Sequence, residues 1–396
     1  MASTVALTVP SPVPESTPQD VWIVNNAAWN VYNFRAGLIR GLQEAGYAVT
    51  VCCPADSYLD RMKGLGVRHV DLPFDAAGTN PLREARVMLH LLRIFRTHRP
   101  AALLSFTPKI NIYVALVAGW LHLPVIANIS GLGRAFLVGG WIELVSRALY
   151  RLALRTAQTV FFENPDDLQL FVQAGMVRAS LCQTLPGTGI DLERFAPVPP
   201  MAGGTATFRF LLLGRMLWDK GVKEYVEAAR MVKSNFGDVE FGLLGFVEVN
   251  NPAAIKRSQI DHWQVEGLIR YYEATDDVRP HLAASDCVVL PSYREGTPRA
   301  LLEAASMGIP VITTDTVGCR QVVDDAVSGF LCRPKDPQDL ANKMIRMIEM
   351  HPAARQEMGR CGRRKMEREF DQKLVVERYL LALRQACPAP AAQTVV

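Results

Sequence analysis

The sequence lacks the glycine-rich loops with which many α/β proteins bind nucleotides. After the first apolar run, Val21–Asn25, the chain continues Asn26-Ala27-Ala28-Trp29 and has no glycine. A dinucleotide-binding domain requires GxGxxG at this point, so that the backbone can approach a pyrophosphate. The phosphate loop GxxxxGK[ST] is missing as well. The chain is therefore predicted to be neither a dehydrogenase nor a P-loop nucleotide hydrolase.

Cysteine motifs and targeting segments are missing too. The 8 cysteines show no CxxC or Cys/His spacing, which argues against zinc and a disulfide framework and favours reduced thiols in the cytoplasm. The N-terminal tail has no Lys or Arg and does not resemble a secretory signal. The uncharged stretch 110–133 is interrupted by polar residues and Pro124, so it predicts a buried helix and strand rather than a transmembrane helix.

The sequence lacks a large excess of charge of either sign, because 43 Lys and Arg against 39 Asp and Glu leave a net charge of only +4. A dedicated nucleic-acid-binding protein is usually strongly basic on one face, so no nucleic-acid partner is predicted. Residues 83–155 differ from this average, since they include ten basic residues but only two acidic ones, Glu84 and Glu143. This local excess points to an anionic partner for that part of the chain.

The pattern that is present is an alternation of short apolar runs and amphipathic segments. With 396 residues, 49% of them hydrophobic, the chain is long enough for two to three domains and too apolar for intrinsic disorder. Strands and helices alternate first from residue 20 to Glu163 and again from Phe208 to Thr314. This order is typical of parallel sheets. It predicts an α/β protein of two doubly wound, Rossmann-like domains facing a central cleft.

Composition also predicts the domain boundaries. The Gly- and Pro-rich stretch 186–204 indicates a linker between a domain over 20–195 and a domain over 205–370. Small, uncharged residues at the two ends predict a disordered tail over 1–19 and a flexible tail over 386–396.

Two cations follow the first strand of the second domain. The strand Phe208–Leu213 leads into Gly214 and Arg215, and Lys220 directly precedes the next helix. Two cations beside the free N–H groups of a helix start make an anion site suited to a diphosphate. A pair of solvated surface charges is the alternative.

Two glutamates mark a second candidate site. Glu295 lies in a predicted strand-to-helix loop, and Glu303 lies on the helix that follows. Carboxylates accept hydrogen bonds from paired hydroxyls, so one could face a sugar and the other a nucleotide ribose. A carboxylate at a helix N-terminus and one surface glutamate are the alternative.

Together these motifs resemble family 4 of the retaining glycosyltransferases, which has the two-domain GT-B fold. The resemblance rests on the GR…KG motif, on the run PSYREGTPRALLEAASMGIPVITTD and its continuation to Gly329–Leu331, and on Gly187–Phe195 at the linker. It covers most of 20–385 and is more specific in the second domain. It implies that a final helix over 372–385 returns to the first domain.

The resemblance also implies the roles of the donor-side residues. Arg215 and Lys220 would hold the diphosphate of a nucleotide sugar, more often UDP than GDP, and Glu295 would contact sugar hydroxyls. Glu303 would bind the ribose. No metal or cofactor is implied, because cations and a helix terminus neutralise the leaving diphosphate. The catalytic set is Arg215, Lys220 and Glu295, and the donor-binding set is Arg215, Lys220, Glu295, Gly296, Thr297 and Glu303.

The first domain departs from the family pattern at two loops. Many members have a glycine pair in the loop that here is Asn25–Asn33, and a histidine after the fifth strand, where this chain has Ser130. The predicted acceptor side consists of Asn25, Asn26, Asn30, Ser130 and Gly131.

The basic stretch contains two amphipathic helices, predicted over 83–98 and 140–156. The second carries Arg147, Arg151 and Arg155 beside Trp141 and several apolar residues. Such helices can lie on an anionic membrane surface, although a core-facing helix with a solvated arginine face is the alternative. The Gly-Leu-Gly loop at 131–133 resembles the branch of the family that extends polyprenyl-diphosphate-linked sugars, which favours the membrane.

The sequence thus predicts a retaining, metal-independent hexosyltransferase at the inner face of the cytoplasmic membrane. It would move a hexose or N-acetylhexosamine from a nucleotide sugar to an undecaprenyl-diphosphate-linked sugar. The alternatives are transfer to a soluble small molecule or glycan, a GT-B sugar-nucleotide epimerase and an inactive GT-B binding protein.

Overall fold

The computed structural model describes residues 18–74, 80–132, 140–197, 207–249 and 251–387. Apart from two residues each, the tails predicted at 1–19 and 386–396 lie outside these ranges. Gly133 of the Gly-Leu-Gly loop and residues 198–204 of the predicted linker lie outside them as well.

Seven parallel strands form a sheet in the first half of the described chain. They are β1 (Asp20–Val24), β2 (Ala48–Cys53), β3 (Arg68–Asp71), β4 (Ala102–Phe106), β5 (Val125–Ile129), β6 (Thr159–Phe162) and β7 (Cys182–Thr184). Their order is β3-β2-β1-β4-β5-β6-β7, so the direction of strand addition reverses between β1 and β4. Ligands of doubly wound sheets bind at such a reversal, beyond the carboxyl ends of the strands.

Helices cover both faces of this sheet. They are α1 (Ala28–Glu44), α2 (Leu59–Lys63), α3 (Pro81–His98), α4 (Pro108–Leu121), α5 (Gly140–Ala153) and α6 (Pro165–Gln173). Alternate residues of β1 enter two different cores, Trp22 and Val24 on one face and Val21 and Ile23 on the other. The strands are therefore apolar on both sides, which is why they appear as continuous hydrophobic runs in the sequence.

The second half repeats the architecture with a parallel sheet of order β10-β9-β8-β11-β12-β13. Its strands are β8 (Phe208–Leu213), β9 (Val239–Leu244), β10 (Arg270–Tyr272), β11 (Cys287–Leu290), β12 (Val311–Thr314) and β13 (Gly329–Cys332). Its helices are α7 (Val222–Lys233), α8 (Arg257–Val265), α9 (Arg279–Ala283), α10 (Arg299–Ser306), α11 (Pro337–Glu349) and α12 (Pro352–Lys365).

The last described helix, α13 (Gln372–Ala386), packs against α1 of the first sheet. A glycine allows this close approach, because a Cβ atom on Gly41 would lie 2.3 Å from Cγ1 of Val376. Tyr379 is fully buried, and its hydroxyl accepts a hydrogen bond from the Asn128 amide at 2.7 Å. Helix α13 is thus part of the first domain's core.

The predicted fold class is confirmed, since the chain forms two helix-covered parallel sheets of Rossmann type. The helix predicted over 251–265 begins only at Arg257. Residues before it form a turn, in which the Asn251 side chain accepts from the Ala253 N–H and Ala254 bridges to Leu217. Helices α2, α6, α11 and α12 and strands β7 and β13 had no prediction. No helix of the described chain is long and apolar enough to span a membrane.

Candidate active site

A cleft of about 540 Å³ lies where the carboxyl ends of the two sheets face each other. The first domain contributes Asn30, Arg35, Ser130 and Glu163 to its wall. The second domain contributes the loops after β8 and β11 and the first turn of α10. These walls include Arg215, Lys220, Glu295, Gly296, Thr297 and Glu303, so the cleft collects the whole predicted donor-binding set.

The two predicted cations enter the cleft from the loop after β8. Arg215 is exposed, and no hydrogen bond or ion pair engages its side chain among the described residues. Lys220 lies in a short 3-10 turn just before α7, and its Nζ contacts Oε1 of Glu295 at 2.5 Å. A free guanidinium and a partly buried ammonium together form an anion-binding wall.

Glu295 is held in place by two donors. Besides Lys220, the Ser292 hydroxyl donates to the same Oε1 atom at 2.7 Å. The side chain is only 13% exposed. Because one carboxylate oxygen is occupied by these donors, the other is the one available for a ligand hydroxyl.

Glu303 is paired rather than free. The Arg299 Nε donates to its Oε1 atom at 2.8 Å, and Glu303 is 9% exposed. Both residues belong to α10, whose first turn faces the cleft. A helix N-terminus favours a negatively charged ligand, which adds to the field of the two cations.

Gly296 and Thr297 are the point at which the second domain contacts the first. The Thr297 hydroxyl donates to the Glu163 carbonyl at 3.0 Å, and the Asn164 amide donates to the Gly296 carbonyl at 3.3 Å. A Cβ atom on Gly296 would lie 2.3 Å from the Ser130 carbonyl oxygen. Only glycine therefore permits the loop after β11 to approach Ser130 this closely.

Further contacts join the domains on both sides of the cleft. On one side Arg294 forms an ion pair with the fully buried Asp167. On the other side the Tyr58 hydroxyl donates to Asp276 at 2.6 Å, and the Trp29 and Phe246 rings meet edge to face with centroids 6.3 Å apart. The domains are thus in contact around the cleft rather than splayed apart.

The predicted acceptor-side residues divide into two groups. Asn30 and Ser130 line the cleft. Asn25 is fully buried, and its Oδ1 atom accepts from the Asn26 N–H at 2.7 Å. Neither of these two residues nor Gly131 is part of the cleft wall. The buried side chain of Asn25 accepts from the loop backbone and does not face the cleft.

Glu163 and Arg35 are functional candidates that the sequence patterns did not single out. Glu163 was predicted as the last residue of a strand, whereas β6 ends at Phe162 and places Glu163 at the strand tip. An acidic residue at the carboxyl end of a parallel strand is the signal that could have identified it. Burial raises the pKa of Glu163 to about 7, opposed by the nearby Arg35 cation and reinforced by the Asp167 carboxylate.

This shifted pKa predicts a pH-dependent stability. A carboxyl group whose pKa is higher in the folded chain stabilises it below the unfolded value of 4.5 and loses that contribution as pH rises through about 7. The Glu163→Gln variant lacks this loss. The free energy of unfolding of the variant minus that of wild type is therefore expected to be about 2 kcal/mol larger at pH 8 than at pH 5, which means that the variant gains stability relative to wild type as pH rises. Urea denaturation at both pH values measures it, and an equal difference at both would contradict it.

Two family models match the chain. Residues 33–187 match the model described as "Glycosyl transferase 4-like domain", and residues 207–350 match "Glycosyl transferases group 1". Among curated relatives, the N,N'-diacetylbacillosaminyl-diphospho-undecaprenol alpha-1,3-N-acetylgalactosaminyltransferase of Campylobacter jejuni is 25% identical over 91% of this chain and 97% of its own length. The UDP-Gal:alpha-D-GlcNAc-diphosphoundecaprenol alpha-1,3-galactosyltransferase of Escherichia coli is 23% identical over 75% of this chain and 78% of its own.

Solved structures share the architecture. Anabaena HepE in complex with UDP and glucose superposes with a TM-score of 0.76 at 17% identity, covering 93% of this chain and 100% of that one. WaaG, a glycosyltransferase involved in lipopolysaccharide biosynthesis, superposes with a TM-score of 0.70 at 16% identity, with coverage of 93% and 100%. At these identities the similarity shows the common fold.

Proposed function

Since the chain belongs to the group 1 glycosyltransferases with the GT-B fold, we propose that it transfers a hexose or N-acetylhexosamine from a UDP-sugar to an undecaprenyl-diphosphate-linked sugar. The observation that carries the proposal is the convergence of Arg215, Lys220 and Glu295 in one cleft with the first turn of α10. The lipid-linked acceptor is supported by the names of both relatives, and the UDP donor by the name of the Escherichia coli galactosyltransferase.

The donor would bind along the second domain. Arg215 and Lys220 hold the diphosphate, and the first turn of α10 adds the positive end of its dipole. Glu295 accepts hydrogen bonds from the sugar hydroxyls while Gly296 and Thr297 present backbone N–H groups. Glu303 receives the ribose hydroxyls, with Arg299 holding its carboxylate in position.

The chemistry would proceed with retention of configuration. The bond between the anomeric carbon and the diphosphate oxygen breaks, and the acceptor oxygen bonds to the same face of that carbon. The acceptor proton passes to the departing diphosphate. Arg215 and Lys220 stabilise the charge that develops on this leaving group, so activity is expected to persist in EDTA. The alpha linkages in the names of the two relatives support retention.

The acceptor would reach the cleft from a membrane surface beside the first domain. Only Tyr150 and Ala153 of α5 are buried, whereas Trp141, Leu144 and Leu152 are 73%, 69% and 53% exposed. Helix α4 packs against both α5 and α3, and α3 with its end carries five exposed arginines: Arg83, Arg86, Arg93, Arg96 and Arg99. An outward apolar face with basic neighbours suits peripheral binding at the inner face of the cytoplasmic membrane.

The Leu144→Ser/Leu152→Ser variant is expected to bind anionic vesicles at least about tenfold more weakly than wild type, because two leucines no longer enter the lipid. Flotation with phosphatidylglycerol vesicles at low salt measures the bound fraction. Val265→Ser is the matched control, since Val265 is 88% exposed on the second domain. Equal flotation of all three proteins, or a wild type that does not float, contradicts membrane docking through α5.

A donor screen tests the proposed function. A ligand that binds only the folded protein raises its melting temperature, so UDP- and GDP-sugars are compared by thermal shift. The best donor is then incubated in EDTA with N-acetylglucosamine diphosphoundecaprenol, and sugar transfer to the lipid is expected. Sugar transfer to a soluble acceptor instead would support a soluble-acceptor enzyme. An isomerised donor would support an epimerase, and donor binding without turnover would support a binding protein.

A further inference from the structure

We propose that Glu163 and Arg35 form the site that binds the acceptor sugar beside its reacting hydroxyl, with Glu163 as a further substrate-contacting residue. The inference rests on the proposed function, because it concerns the acceptor of that same reaction. Neither residue belongs to the donor-binding set or to the family motifs of the second domain.

Glu163 stands where the donor and acceptor walls of the cleft meet. Its carboxylate lines the cleft, and its Oε2 atom lies 2.8 Å from the position that a Cβ atom on Gly296 would take. The Ser130 carbonyl oxygen approaches the same position at 2.3 Å. A sugar that enters from the first domain therefore meets the Glu163 carboxylate next to the loop that carries Glu295.

Arg35 supplies a hydrogen-bond donor without a partner at the same place. It is 4% exposed, lines the cleft and lies with its guanidinium carbon 4.0 Å from the centroid of the Phe106 ring. Its Nε atom is buried and has no hydrogen-bond partner within the described chain. Leaving a buried polar group without a partner is unfavourable, so a guanidinium held this way in a cleft wall is suited to a polar ligand.

The two side chains match a vicinal pair of sugar hydroxyls. One hydroxyl donates its hydrogen to the Glu163 carboxylate, and the neighbouring hydroxyl oxygen accepts from Arg35. Glu163 orients the reacting oxygen and strengthens its nucleophilic character. It takes no proton itself, because that proton leaves with the diphosphate.

The groups around Glu163 decide how its charge responds to pH. Arg35 faces Glu163 from α1, and Glu295 with its partner Lys220 faces it from the second domain. Tyr379 of α13 lies near Arg35 and acts on the charge of that guanidinium. Asp167 faces it from α6 and is neutralised by Arg294, while Arg299 of α10 lies near Arg35. Removal of Arg35 takes away the cation that holds the pKa of Glu163 down, so this pKa is expected to rise further.

The test compares transfer with slow hydrolysis of the UDP-sugar in the absence of acceptor. For Glu163→Gln, kcat/KM for N-acetylglucosamine diphosphoundecaprenol is expected to fall about 100-fold, while donor KM and donor hydrolysis stay within about twofold. The wild-type kcat/KM is expected to rise with pH through an apparent pKa near 7, and this rise should be absent in Glu163→Gln. In Arg35→Met the rise in kcat/KM is expected at higher pH than in wild type. In Arg35→Lys it should return part of the way toward the wild-type pH.

Two further variants keep the result interpretable. Glu163→Asp retains the charge and is expected to keep a pH-dependent profile at reduced kcat/KM. Glu193→Gln, at a side chain that is 89% exposed, is the control and should behave as wild type. Wild-type kcat/KM in Glu163→Gln, or a parallel loss of donor hydrolysis, overturns the acceptor site. A wild-type protein that transfers no sugar from any donor overturns the proposed function itself.

Discussion

The Glu295→Ala variant is expected to lose about 10²–10³-fold in kcat while its melting temperature stays close to that of wild type. Glu295 is the carboxylate that both Lys220 and Ser292 hold at the cleft, so its replacement removes the acceptor for the donor sugar's hydroxyls. The same change frees Lys220 for the diphosphate. Donor KM is therefore expected to stay constant or to fall, and the loss should appear in kcat.

Glu295→Gln and Glu193→Ala define the cause of this loss. The amide keeps the size and one acceptor oxygen but removes the charge, so an intermediate kcat is expected. Glu193 lies on the surface and its variant should retain full activity. Turnover is followed as release of UDP with saturating donor and acceptor. Near-wild-type kcat in Glu295→Ala would refute the role assigned to the carboxylate.

The Gly296→Ala variant is expected to reduce kcat/KM by about 100-fold, because the new methyl group would collide with two groups of the first-domain wall of the cleft. Its Cβ would lie 2.3 Å from the Ser130 carbonyl oxygen and 2.8 Å from the Glu163 carboxylate. The first contact is with backbone, so the two domains have to separate to relieve it. A misplacement of about 1 Å between reacting groups costs on the order of 10²-fold in rate.

Gly237→Ala is the matched control for this change. A Cβ atom on Gly237 would meet no atom within 4 Å, so this variant should keep wild-type kcat/KM. Both variants are expected to unfold near the wild-type temperature, since the strain in Gly296→Ala is relieved by domain separation and not by loss of either core. Wild-type kcat/KM in Gly296→Ala would show that the contact with Ser130 is not needed for turnover.

Local patterns in the sequence were sufficient for the architecture and for the donor side of the cleft. The apolar run Phe208–Leu213 predicted β8 at its observed limits, because strands buried on both faces leave an unambiguous signal. Arg215 and Lys220 lie in the loop after β8, and Glu295 lies in the loop after β11. In a parallel sheet the ends of neighbouring strands share one edge, so sequence position alone places these residues together.

Only the tertiary structure decided the acceptor side. The contacts of Gly296 with Ser130 and Glu163, and the burial of Arg35 beneath the cleft, join segments more than 100 residues apart. They depend on how the two domains dock and on the return of α13 to the first domain. The same holds for Asn25, whose burial depends on the packing around β1. Strand and helix periodicities describe each element against its own core, and no such pattern carries information about which surfaces of two domains meet.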